Sequence, residues 1–192
     1  MLALLRATQL GQIPGAEITL VISDKATATG IESARASGIE AIVIERGGRK
    51  REEHEAELKR ALLDHDIGLI CLAGFMRLLS ASFIAAFRGK ILNIHPSLLP
   101  CFPGLDAQKQ AIAHGVKVSG CTVHFVDDTL DGGPIIAQRV VPVMDDDTVE
   151  SLSERILVEE HKLYSEALAL VVSGDFVIKG RRVIRGSKYS HE

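Results

Sequence analysis

The sequence predicts an α/β fold, a mostly parallel sheet flanked by helices that becomes antiparallel in its C-terminal part. Three observations predict it. Short β-rich runs alternate with helical segments through the first half of the chain, which is the rhythm of βαβ units. Those runs are nearly continuous in apolar residues, as befits strands buried on both faces. Beyond residue 120, two strand-like runs follow each other with only a glycine-rich turn between them.

Taken in order, EITLVIS (17–23), AIVI (41–44), GLICLA (68–73) and KILNIH (90–95) read as strands. Residues 28–37, 50–65 and 80–87 between them read as helices. The stretch ERGGRKREEHEAELKR (45–60) is highly charged and reads as a solvated helix face. Residues 104–114 form a further helix, and CTVHFV (121–126) and PIIAQRVVPV (134–143) are strands joined by a turn. Thr148 caps a long helix running to about Val172, with Val149, Leu152, Ile156, Leu163, Ala167 and Val171 along one stripe. Internal repeats, low-complexity segments and dividing linkers are all lacking, so one domain is expected.

Composition narrows the function classes. With 192 residues, 46% hydrophobic and 24% charged, the chain reads as globular and large enough for a sizeable core. A net charge of -3 gives no reason to expect a nucleic-acid partner. Membrane association is not expected either, because no apolar stretch approaches the ~20 residues that cross a bilayer. The opening MLALLRATQL is apolar but short, without the basic segment and cleavage site of a signal peptide. Cys71, Cys101 and Cys121 are odd in number and far apart, which reads as reduced thiols in a cytoplasmic protein. The seven histidines show no HExxH or similar spacing, so a metal is not implied. Dinucleotide, Walker and GxSxG motifs are missing as well.

Candidate chemistry centres on ILNIHPSLLP (91–100) and DTLDGGPII (128–136). Asn93 and His95 lie two apart, so in a strand they project to one face. The strand ends at Pro96, and open α/β sheets bind ligands beyond their strands' carboxyl ends. A histidine beside apolar residues is commonly structural; its neighbour Asn93 and the proline-rich loop SLLPCFPG add weight to a functional reading. Asp131 sits in an Asp-Gly turn, itself a hairpin signal. Folded over His95, it would favour imidazolium. An amide, an imidazole and a carboxylate suit a reaction that develops an oxyanion and moves a proton. Glu160 falls on the apolar stripe of the long helix, either at its wet edge or against a ligand hydroxyl. Met76 and Arg77 follow the 68–73 strand and form either ordinary surface and core filler or a pocket wall.

Together, AEITLVISDKA, ICLAGFMRLLS, ILNIHPSLLP, FPGLDAQKQAI, GCTVHFVDDTLDGGPII and the SERI…EEHKLY helix resemble the phosphoribosylglycinamide formyltransferase family, folate-dependent enzymes of purine synthesis. The motifs run in family order over most of residues 1–178, leaving 179–192 as a variable tail. The resemblance implies a Rossmann-like formyltransferase fold and small-molecule substrates. It implies that His95 handles proton transfer, Asp131 raises its pKa and Asn93 holds the formyl oxygen. Arg51, Met76, Arg77, Leu78 and Leu79 would lie at the folate site, and the loop from Val126 through Asp127 and Asp128 to Asp131 along the pterin. Glu160 would hold the ribose of the nucleotide. The implied reaction passes a formyl group from 10-formyltetrahydrofolate to the amine of glycinamide ribonucleotide, in the cytoplasm, with no metal, by a monomer or homodimer.

One departure bears on that expectation. Family members open with a strand and a glycine-rich loop ending Gly-Ser-Asn, just before the helix that LALLRA resembles, whereas here Met1 stands where that loop has ended. Such a loop supplies backbone N–H donors for a phosphate, so weaker nucleotide binding and an incomplete sheet are expected of this stretch. Ser165 replaces a usual proline, with no evident consequence. Two alternatives stay open. A formyltetrahydrofolate hydrolase shares the Asn-x-His and Asp elements, although its relatives usually place a second histidine where Pro96 stands. A non-catalytic folate-binding remnant is the other.

Overall fold

Apolar runs and the helices that follow them build two layers of packing around one divided sheet. The computed structural model describes residues 1–186. In chain order the elements are α1 (Leu2–Gln9), β1 (Leu20–Ser23), α2 (Thr29–Ala36), β2 (Glu40–Val43), α3 (Arg51–Asp64), β3 (Ile70–Leu72), α4 (Ala81–Ala86), β4 (Ile91–His95), α5 (Ala107–Ala113), β5 (Val118–Phe125), β6 (Ile135–Pro142), α6 (Val149–Ser173), β7 (Phe176–Lys179) and β8 (Arg182–Arg185). The six-stranded sheet has the order β3-β4-β5-β6-β8-β7, and β1 and β2 form a parallel pair of their own. β3 and β4 are parallel, and the antiparallel part begins where β5 pairs with β4.

Adjacent residues of β4 show how the sheet is covered on both faces. Ile91 packs into a small cluster with Leu62 of α3 and Phe83 of α4, while Leu92 enters the main core with Leu4, Ile156, Leu163 and Ala167. Helix α6 organises that main core. Its apolar stripe lies where the 3.6-residue period puts it, and Thr148 and Ser151 close a reciprocal capping box at its start. The buried Tyr164 hydroxyl lies within hydrogen-bond distance of the carbonyls of Leu72 and Leu92, at 2.9 and 3.1 Å, tying α6 to both β3 and β4.

Two features differ from the sequence reading. Residues 176–185 form the β7–β8 hairpin, which extends the sheet beyond β6, so part of the segment read as a tail is edge structure. Residues 187–192 of that segment lie outside the described residues. The sheet is also not continuous: among the described residues β1 pairs only with β2, and β3 only with β4. A cavity of about 1340 Å³ separates them, lined by Val21, Ile22, Ile70, Cys71, Leu168 and Val172 among others. Leu168 remains buried in the main core, whereas the strand residues Ile22, Ile70 and Cys71 are only partly covered by the two clusters.

Candidate functional site

β4 delivers Asn93 and His95 to one face because they lie two residues apart. The antiparallel register places His124 opposite Asn93 and Thr122 opposite His95. Directly opposed residues share a face, so four polar side chains converge at the end of β4. Beyond Pro96 the chain turns back over the strand end. Phe102 adopts a left-handed conformation, φ 53°, and its carbonyl accepts a hydrogen bond from His95 Nε2 at 2.8 Å.

The β5–β6 turn closes the site from the other side. Asp131 takes φ 49°, a conformation aspartate tolerates. Gly133 lets the turn fold tightly, since a Cβ there would stand 1.9 Å from the Phe125 carbonyl oxygen. Asp131 Oδ2 accepts from Gly104 N–H at 2.8 Å and lies 3.4 Å from His95 Nδ1. One carboxylate thus bridges both loops and the imidazole. His95 is only 5% exposed, with an acceptor on each side of its ring.

His124 belongs to the same group, and the sequence reading missed it. Burial lowers its pKa from the usual histidine range, disfavouring the charged ring. Its Nδ1–H donates to the Phe125 carbonyl at 2.9 Å, leaving the Nε2 lone pair 3.4 Å from Asn93 Nδ2. That contact turns the Asn93 NH₂ group toward His124 and leaves its second N–H for another oxygen. The clue was the alternation of Thr122 and His124 with the apolar Cys121, Val123 and Phe125. The Phe102 carbonyl and Gly104 N–H have no such signature, being backbone groups.

The expected folate residues gather in a second region. Arg51, Arg77 and Leu78 line a cavity of about 230 Å³ together with Arg46 and Phe75. The Arg77 guanidinium lies 5.4 Å from the Phe75 ring centre and pairs with Asp24 at 2.8 Å. Met76 and Leu78 are 74% and 61% exposed, apolar surface of the kind a planar ligand covers. The loop ends firmly at Ser80, which caps α4 and whose N–H donates to the buried Glu55 carboxylate at 2.9 Å. Leu79 and Val126 pack against the smaller core cluster. Asp127 accepts from the N–H and hydroxyl of Thr129, shaping the turn, and Asp128 is exposed.

Glu160 stands apart from the Asn93–His95–Asp131 group, on the wall of the large cavity, which β4 reaches through Ile94. Burial pushes its carboxyl up to about 7. Both acid and carboxylate are therefore accessible near neutral pH, and either accepts a hydrogen bond from a hydroxyl.

Comparison with known proteins follows the same lines. Residues 1–168 match the formyl transferase family. Over 164 residues the chain is 49% identical to the trifunctional purine biosynthetic protein adenosine-3 of Drosophila melanogaster, spanning 85% of this chain but 12% of that protein's length. It is 44% identical over 157 residues to phosphoribosylglycinamide formyltransferase of Bacillus subtilis, covering 80% of this chain and 79% of the relative. The crystal structure of glycinamide ribonucleotide transformylase 1 from Symbiobacterium toebii superposes with a TM-score of 0.93 at 50% identity, over 96% of this chain and 87% of that one. A formyltetrahydrofolate deformylase from Pseudomonas syringae shares the backbone, with a TM-score of 0.90, but at 25% identity and over 61% of its own length. In sequence and backbone the chain belongs to the formyl transferase family, alongside the phosphoribosylglycinamide formyltransferases.

Proposed function

We propose that the chain transfers a formyl group from 10-formyltetrahydrofolate to the amine of glycinamide ribonucleotide, a step of purine synthesis. The observation that carries this reading is the junction of Asn93, the buried His95 and Asp131, with His124 behind the amide. The folate co-substrate supplies the formyl carbon. As the amine adds to that carbon, the carbonyl oxygen gains negative charge, and the free N–H of Asn93 is suited to stabilise it. His95 moves the proton that the amine gives up and folate N10 takes, through Nδ1 where Asp131 faces the ring. Asp131 holds the imidazole and the 97–104 loop in one geometry. Atoms balance: a C–N bond to the amine forms, the C–N10 bond breaks, and one proton passes between the two nitrogens.

Binding divides between the two cavities. Arg51 and Arg77 present guanidinium groups that suit the carboxylates of a folate tail, and Met76, Leu78, Leu79 and the 126–131 loop offer walls for its rings. Glu160 accepts from a ribose hydroxyl. On this reading residues 1–178 are the formyltransferase domain, and the protein works in the cytoplasm on small molecules, as monomer or homodimer.

The test supplies the purified chain with both substrates and follows formylated nucleotide and tetrahydrofolate. Tetrahydrofolate release that depends on the nucleotide is expected. Release at the same rate without nucleotide would favour hydrolysis, the reading that the Pseudomonas neighbour supports. Folate binding with no release under either condition would leave a binding protein.

A further inference from the structure

The loop from Ser97 to Phe102 has little regular hydrogen bonding, yet it must hold Phe102 in a left-handed conformation that aromatic residues disfavour. What holds it is a pair of side chains from the sheet behind. Thr122 of β5 is completely buried and stands opposite Gln138 of β6. The Thr122 hydroxyl donates to the Ser97 carbonyl at 2.7 Å and accepts from Leu99 N–H at 3.0 Å. The Gln138 amide donates to that same hydroxyl at 3.0 Å and to the Leu99 carbonyl at 2.8 Å. Both lone pairs and the proton of the hydroxyl are therefore used. Ser97 carries the restraint onward, its hydroxyl donating to the Cys101 carbonyl at 2.5 Å and lying 3.3 Å from that of Phe102. The chain of contacts ends on His95, whose Nε2–H is held by the Phe102 carbonyl.

We propose that Thr122 and Gln138 are positioning residues for formyl transfer, fixing the 97–102 loop so that the Phe102 carbonyl keeps the His95 proton on Nε2 and turns Nδ1 toward Asp131. Neither touches a substrate; both act through backbone. The inference rests on the catalytic reading of His95, but its structural half can be judged without turnover. An amide hydrogen-bonded twice and a saturated hydroxyl are costly to disturb, because the buried N–H and C=O groups they serve would be left without partners.

The test uses Thr122→Val, which keeps the shape and removes the hydroxyl, Thr122→Ser, which restores it, and Gln138→Leu. Histidine-labelled protein is read by ¹⁵N NMR, with His95→Gln to assign the His95 ring. In the parent chain Nε2 carries a proton held by the Phe102 carbonyl. In Thr122→Val, and to a lesser degree in Gln138→Leu, the His95 signals move toward a mixture of both tautomers, while Thr122→Ser matches the parent. Turnover follows: kcat falls roughly ten- to a hundredfold in Thr122→Val, as expected for slight misplacement of a reacting group. KM for both substrates stays within about twofold, and Thr122→Ser recovers most of kcat. If Thr122→Val fails to fold, the same readings on Gln138→Leu decide. Unchanged His95 signals, or a Thr122→Ser variant as impaired as Thr122→Val, would overturn the proposal. A parent chain that holds the Nε2 proton but transfers no formyl group would overturn the catalytic reading and leave the positioning intact.

Discussion

The junction of β4 with β5 and the gap between β1 and β3 are built differently. Where β4 meets β5, the polar side chains of the site already have partners within the chain: His95 with Phe102 and Asp131, Asn93 with His124, Asp131 with Gly104. Where β1 should approach β3, apolar strands and the raised carboxyl of Glu160 face a cavity instead. The difference separates two demands on a site. On the proposed function, proton transfer and oxyanion stabilisation tolerate little misplacement and would fall to side chains on strands and to loops laced to them. Substrate capture tolerates more, and it is served by groups standing at openings.

The sharpest way to break that comparison is His95→Ala. Formyl transfer should fall by roughly 10²–10⁴-fold, the range for losing a general acid–base group, while folate affinity measured by calorimetry holds. A variant with near-full turnover would strip the β4–β5 junction of its catalytic role.

Glu160→Gln probes the gap next, through pH. The folded carboxyl titrates near 7 rather than 4.5, because burial disfavours the charge. Between those values the folded chain keeps a proton that the unfolded chain has lost, so stability falls as pH rises and levels off above about pH 7. The glutamine variant lacks this loss. In urea titrations it should match the parent near pH 4.5 and exceed it at about pH 8 by about 1–3 kcal/mol, a range reduced for the solvent that reaches the cavity. Nucleotide affinity should fall in the same variant. Parallel stability at both pH values would place Glu160 in water rather than in a buried wall.

Tyr164→Phe tests the bond between the two regions. Losing its contacts to the Leu72 and Leu92 carbonyls should cost about 1–2 kcal/mol. Hydrogen exchange should quicken in β3 before β5, because β3 has only β4 beside it among the described residues. Uniform quickening would mean the sheet opens as one unit.

The smallest effect is expected from Arg77→Ala, which should weaken folate binding up to about tenfold and leave nucleotide binding alone. Its exposed pair with Asp24 contributes little to stability, so the melting temperature should barely move. Equal losses for both ligands would make Arg77 a structural residue.

Legibility in the sequence followed the same division. Asn93 and His95 could be placed on one face from spacing alone, since a strand's period of two leaves no alternative. Thr148 could be read as a cap, and α6 begins at Val149. Asp131 could be put in a turn, but not above His95, because nothing local encodes where a turn lands. That step came from the family resemblance, as did the roles assigned to Arg51, Leu78 and Leu79; for Met76 and Arg77 position alone offered a pocket wall, and the resemblance named its ligand. The β7–β8 hairpin escaped because its strands, FVIK and RVIR, are four residues each around a charged turn. His124 was hidden among the apolar residues of β5. The loop carbonyls and amides that complete the site are common to every residue type and leave no trace in a sequence.

The buried phenol of Tyr164 has a use outside the chemistry of the site. The chain contains no tryptophan and two tyrosines, so its near-ultraviolet signal is simple. Burial, with Cys71 beside it, raises the Tyr164 pKa well above 10.0. In alkali the unfolded chain therefore loses a proton that the folded chain keeps, and stability declines with each step of pH beyond about 10. The phenolate band near 295 nm should accordingly keep its Tyr164 share back until the fold gives way. The part belonging to Tyr164 should coincide with loss of helix, and so give an optical clock for the moment when α6 leaves the sheet.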